Sequence, residues 1–147
     1  MNLILALSLA APLLGATAAA TSPAAATTPA PSGKIVLVAI SGPEDAMKLL
    51  GPYHHAVIMK KTGRLQDIAI VVYGRAVAAL STKAKGIPQP VRDAIKEAHA
   101  AGIPIFVCNT ALSNAGIDEV IPEAQRVPQG AAKIAELISE GFVPMQY

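Results

Sequence analysis

The chain has 147 residues, 12 Lys and Arg against 10 Asp and Glu, one cysteine, no Trp and 3% aromatic residues. A net charge of +2 is too near neutral for a nucleic-acid binder, and so few rings leave no base-stacking platform. A single cysteine rules out an internal disulfide framework, and with scattered histidines it provides no metal-ligand spacing.

Residues 3–14 form an apolar stretch of the length of a signal-peptide core. Ala18-Ala19-Ala20 fits a small-residue cleavage pattern, with Ala16-Thr17-Ala18 as a second option, although no Lys or Arg precedes the apolar run. We read residues 1–20 as a cleaved export signal, which places the mature protein in the periplasm or outside the cell. The alternative is an uncleaved membrane anchor. Pro12 and the short core weigh against it, because a spanning helix needs about 20 apolar residues. No cysteine lies near the cleavage site for lipid attachment. Residues 21–33 hold only Ala, Pro, Thr, Ser and one Gly. They bury too little surface to offset ordering entropy and read as a tether. These two segments raise the mean hydropathy to +0.45, which is therefore no sign of a membrane protein.

Residues 34–147 carry every charged side chain and suit one domain. Lys34–Ile40, Ile68–Val72 and Ile103–Cys108 are continuous apolar runs, the pattern of strands covered on both faces in a parallel sheet. Pro104 fits the start of the third run. Between Pro43 and Thr62 the pattern is helical but interrupted at Gly51-Pro52, which predicts two short helices or a kink. Short helices are expected over 75–81 and 110–115. Pro88 and Pro90 introduce a helix over Val91–Ala101 with the stripe Val91, Ala94, Ile95 and Ala98, and Gly102 as its stop. Ala124–Val127 is a weak fourth strand. A last helix is predicted over Pro128–Glu140, with the stripe Ala131, Ile134, Ala135 and Ile138, Leu137 beside it, and Gly141 ending it. Phe142–Tyr147 reads as a fifth strand that Pro144 confines to an edge.

Alternating strands and helices with right-handed crossovers predict a three-layer α/β sandwich. Parallel strands end on one edge, where ligands bind. That edge collects Ser41-Gly42, Tyr73-Gly74-Arg75, Cys108-Asn109-Thr110 and Pro128-Gln129-Gly130. Packing or capping is the blander role for Ser41 and Tyr73. Lys60, Lys61, Arg64, Arg75, Lys83 and Lys85 share one segment opposed only by Asp67, a pattern of a solvated surface or of an anion bound near Arg75. There is no G-x-G-x-x-G, no Walker loop and no Ser-His-Asp motif, so no cofactor is expected. His54 and His55 are adjacent and point apart on a helix, and His99 faces solvent.

Cys108 is the residue on which chemistry turns. A thiolate is the nucleophile. A following helix capped by Asn109 or Thr110, with Arg75 close by, would lower the thiol pKa. A buried, inert cysteine is the equal alternative, and the residues alone leave both open.

Three segments, Val71–Leu80, Gly102–Leu112 and Val127–Phe142, are together similar to the DsrE/DsrF-like family. The shared features are a strand followed by Tyr-Gly and a short helix, a strand ending in Cys, and Val-Pro-x-Gly opening the last helix. The resemblance implies a five-stranded parallel sheet flanked by helices and assembly into trimers or hexamers. It also implies sulfur held as a persulfide on Cys108 and passed to a partner protein. Export separates this chain from cytoplasmic relay partners. Two functions follow as expectations. One is a periplasmic sulfur carrier or sulfurtransferase-like protein that uses Cys108, with Arg75 and the amides around Asn109 and Thr110 stabilising the thiolate. The other is a non-catalytic oligomeric module that binds a small anion at the strand ends and holds Cys108 as a structural residue.

Overall fold

The computed structural model describes residues 30–147. The expected signal over 1–20 and most of the 21–33 tether lie outside the described residues. Five strands, β1 (Lys34–Ala39), β2 (Asp67–Val72), β3 (Ile105–Cys108), β4 (Ala124–Val127) and β5 (Phe142–Gln146), form one sheet in the order β4-β3-β2-β1-β5. Every neighbouring pair is parallel. Four helices join them: α1 (Ala46–Lys61), α2 (Gln89–Ala100), α3 (Asn109–Asn114) and α4 (Gly130–Ser139). A 3₁₀ helix follows β2 at Gly74–Leu80, where an α-helical turn was not distinguished from its tighter relative. The expected α/β sandwich is the observed architecture.

Strand alternation divides the core in two. Leu37, Ala39, Ile70, Val72, Ile105 and Val107 face α1, α2, α3 and the 3₁₀ helix. Val36, Val38, Ala69 and Val71 face the other way, onto Leu137 and Ile134 of α4 and Phe142. Both faces of the central strands are covered, which is why their sequences run apolar without alternating. Each fully buried Val, Leu or Ile contributes about 1.5–3 kcal/mol relative to exposure.

Three helical expectations are met and two are corrected. The α2 stripe Val91, Ala94, Ile95 and Ala98 is buried as predicted. At its end Gly102 takes φ +73°, its N–H reaching His99 O at 2.9 Å and that of Ile103 reaching Ala98 O at 3.1 Å. This is a Schellman stop. Gly141 closes α4 in the left-handed region at φ +91°, and Asn109–Asn114 supplies the short helix expected over 110–115.

The first correction concerns the alternative of two short helices: α1 runs as one helix through Gly51-Pro52. A proline inside a helix costs about 3 kcal/mol. Here the helix persists because Leu49, Tyr53, Ala56 and Val57 are buried against the sheet on both sides of the interruption. Gly51 serves packing instead: a Cβ there would lie 2.7 Å from Cδ1 of Tyr147, whose ring rests on the helix. The second correction concerns α4. Its inward face is Gly130, Ile134 and Leu137, whereas Ala131, Ala135 and Ile138 are exposed.

β5 is an edge strand, as Pro144 required. Tyr147 N–H donates to Val38 O at 2.9 Å, and Tyr147 O accepts from Ile40 N–H at 3.3 Å. Alternation from Tyr147 then points Pro144 away from β1, so its missing donor falls on the open side. Among the described residues no helix is long and apolar enough to cross a membrane.

Candidate functional site

Parallel pairing brings the ends of β1, β2, β3 and β4 to one edge. Cys108 is both the last residue of β3 and the N-cap of α3. Its Sγ accepts the Ala111 N–H at 3.4 Å. The expectation that Asn109 or Thr110 caps this helix is corrected: the thiol itself occupies the capping position. Thr110 turns outward, its N–H and Oγ1 both donating to Pro128 O at 3.4 and 3.2 Å. Asn109 Oδ1 accepts from Arg126 Nη1 at 2.9 Å, and Arg126 also donates to Asp118 O, tying the start of α3 to β4 and the loop before it.

Cys108 is 7% exposed, and Gly130 lies directly against it. A Cβ on Gly130 would sit 3.3 Å from the Cys108 Cβ and 3.1 Å from the Tyr73 Cβ. A side chain at position 130 would collide with both strand ends. The Val-Pro-x-Gly spacing of the sequence therefore has a steric reading: a glycine as the first residue of α4 lets the helix close against β2 and β3 without displacing Tyr73 or Cys108. Tyr73 is half-buried beside it, and Gln129, which precedes Gly130, is exposed.

On the other side of the edge, Ser41 is half-buried, Gly42 is buried, and Gly74 begins the 3₁₀ helix with φ +60°. Arg75 holds its guanidinium in an ion pair. Its Nη2 lies 2.7 Å from Glu44 Oε1, with both side chains open to solvent. Glu44 Oε1 also accepts the Gly42 N–H at 3.2 Å. Pro43, Glu44, Gly74, Arg75, Val77, Ala78, Ala111, Asn114 and Ala115 line a cavity of about 500 Å³. Glu44, Asn114 and Arg126 were not singled out in the sequence. Gly42-Pro43 ahead of Glu44 was the available signal for a turn that folds a carboxylate back on its own loop.

The basic segment behaves as a solvated surface. Lys61 pairs with Glu97 at 2.9 Å and Lys83 with Glu119 at 2.8 Å, while Asp67 pairs with Lys34 at 3.1 Å. The acidic partners come from distant parts of the chain, which sequence spacing does not display. His54, His55 and His99 are exposed, and His55 Nδ1 lies 2.8 Å from the Tyr147 hydroxyl. Among the described residues no three His, Cys, Asp or Glu side chains gather as a metal site.

Comparison with known proteins agrees with this fold. Three solved structures share the fold, each at 18% identity: MTH1491, a protein of unknown function from Methanobacterium thermoautotrophicum, the ychN protein from E. coli, and BT1422, a conserved protein of unknown function from Bacteroides thetaiotaomicron. The first two give TM-scores of 0.64 and 0.66 and cover 79% of this chain and 100% of theirs. The third gives 0.57 and covers 78% and 94%. No curated protein matches the chain. A family model described as the DsrE/DsrF-like family matches residues 33–146, which takes in the whole sheet and every strand-end residue discussed above. The chain belongs to the sulfur-relay-related DsrE/DsrF-like family.

Proposed function

We propose that the protein is a sulfur carrier or sulfurtransferase-like protein that holds a sulfane sulfur on Cys108. The observation that carries this reading is the position of the lone thiol. It closes an interior strand at the edge where all five parallel strands end, with a backbone N–H of the next helix donating to its sulfur. Family membership supports the same chemistry.

The step is a displacement at sulfur. The Cys108 thiolate attacks the outer sulfur of a donor R–S–SH. A new S–S bond forms on Cys108, the donor S–S bond breaks, and RS⁻ leaves with the electron pair. The proton remains on the transferred sulfur or passes to solvent. Thiosulfate donates in the same way, with sulfite leaving. Transfer to an acceptor thiolate reverses the step and restores Cys108. Gly130 matters here because a side chain in its place would press on the Cys108 Cβ. Location in the periplasm, from the N-terminal segment, and assembly as a homo-oligomer, from the family, belong to the same proposal.

The test is intact mass after incubation with thiosulfate or a persulfide donor. Wild type gains one sulfur and Cys108→Ser gains none. No gain on wild type, or an equal gain on the variant, rejects the reading. A second reading, a non-catalytic module with a structural cysteine, is favoured by the 7% exposure and by the capping contact of Sγ. It requires that the thiol react only after unfolding.

A further inference from the structure

We propose that the cavity beside Arg75 binds a small organic carboxylate, and that Glu44 occupies the carboxylate's place when the cavity is empty. The inference does not rest on the Cys108 chemistry, because Cys108 is not among the residues lining the cavity.

Volume and lining define the ligand class. About 500 Å³ falls within the range of roughly 300–1,000 Å³ for small-molecule sites. Val77, Ala78, Ala111, Ala115 and Pro43 give short apolar walls, which fit a compact hydrocarbon body. The polar groups are Arg75, Glu44 and the amide of Asn114. A ligand with an apolar body and one charged end matches this division.

The sign of that charge follows from how the two ionic side chains are held. Arg75 is the second residue of the 3₁₀ helix that starts at Gly74, so its backbone is fixed at the end of β2. Glu44 stands on the turn after β1, where its carboxylate folds back to accept the Gly42 N–H. Gly42 is shaped for this contact. A Cβ there would press on Glu44 Oε2 and lie 2.8 Å from the Arg75 Cβ. The chain thus keeps a glycine where one guanidinium and one backbone N–H receive a carboxylate. Among the described residues Arg75 has no other ion pair. An external carboxylate offers the guanidinium the same planar pair of oxygens. It would displace Glu44 into solvent by rotation of its side chain. A cationic ligand would instead meet the guanidinium of Arg75.

Competition with Glu44 sets a measurable effect. Exposed ion pairs contribute up to about 1 kcal/mol, so removing the internal carboxylate tightens the external one by up to about fivefold. The experiment titrates the protein with phenylacetate, phenylacetamide and phenethylamine, following backbone amide shifts by NMR. Phenylacetate is expected to shift Gly74, Arg75, Ala111 and Asn114 saturably, with a dissociation constant on the order of millimolar for so small a probe. Phenylacetamide should bind at least about tenfold more weakly, and phenethylamine no better than the amide. Glu44→Gln should tighten phenylacetate binding, Arg75→Gln should abolish it, and Ala115→Phe should block it by filling the cavity. Cys108→Ser should leave it unchanged, which separates this proposal from the sulfur chemistry. Any of four results overturns it: no saturable shift with phenylacetate, equal binding of acid and amide, no loss in Arg75→Gln, or weaker binding in Glu44→Gln. An Ala115→Phe protein that binds phenylacetate normally but changes oligomeric size also overturns it, and assigns the cavity to a second copy of the chain.

Discussion

Gly130→Ala tests the packing that seats Cys108. The added methyl would lie 3.1 Å from Tyr73 Cβ, 3.3 Å from Cys108 Cβ and 3.3 Å from Tyr73 Cγ. All three distances are shorter than ordinary carbon contacts. Two of the atoms are Cβ atoms fixed to backbone, so neither yields by a rotamer change. Cys108 lies in a strand paired on both sides, and Tyr73 N–H is tied to Ala39 O at 3.1 Å. Relief therefore requires α4 to lift from the sheet. Overpacking of this kind costs about 1–3 kcal/mol. The opposing effect is the smaller conformational freedom of the unfolded alanine chain, about 0.4–1 kcal/mol. The strain is the larger of the two, with a net loss of up to about 2.6 kcal/mol. An unfolding entropy of about 2.1 cal/mol/K per residue converts this to a fall in Tm of up to about 11 °C for a domain of this size. Calorimetry measures the fall. The rate of thiol labelling in the same variant should change as well, because the displaced helix lies against the cysteine. An unchanged or raised Tm together with an unchanged labelling rate would refute the argument that a glycine is required there.

Tyr53 is fully buried and its hydroxyl has no hydrogen-bond partner among the described residues. Tyr53→Phe removes an unpaired polar group and should leave stability unchanged or raise it by up to about 1 kcal/mol. A loss of more than that would reveal a partner for the hydroxyl. Burial raises the Tyr53 pKa far above its ordinary 10.0. The unfolded chain then releases this proton first, so stability is intact below pH 10 and falls as pH rises beyond it. Alkaline melts should show that fall in wild type and a shallower one in Tyr53→Phe; equal slopes would contradict the assignment. Gly51→Ala places a methyl 2.7 Å from the Tyr147 ring. It should expel the ring and break its hydroxyl contact with His55, seen as loss of the Tyr147 ring signals' dispersion in NMR while the sheet core keeps its hydrogen-exchange protection.

Legibility in the sequence followed local chemistry. Continuous β-branched runs identified β1, β2 and β3 because burial on both faces leaves no polar position. Pro144 identified the edge because a missing N–H tolerates only the open side. Gly102 marked the end of α2 because the left-handed turn there excludes most side chains. The misreadings came from effects that act over distance. Gly51-Pro52 looked like a break because the reward for continuing α1, the burial of Tyr53 and Leu49 and the seat for Tyr147, comes from strands elsewhere in the chain. The α4 stripe was placed one face over because alanines are compatible with either environment and only the position of the sheet decides. The pairing of Arg75 with Glu44 was not legible, because the carboxylate is folded back by a glycine turn that no periodicity signals. The strand-end cluster itself was legible, since parallel order alone brings Ser41, Tyr73, Cys108 and Gln129 to one edge. Its division into a thiol seat beside Gly130 and a cavity beside Arg75 was not.

The most direct measurement is the rate at which Cys108 of the folded protein reacts with a small thiol reagent, set against the rate after unfolding. A sulfur carrier must present its sulfur without unfolding. We therefore expect native labelling within about tenfold of the unfolded rate. Reaction that begins only when the domain unfolds would contradict the proposal and leave Cys108 as the cap of α3.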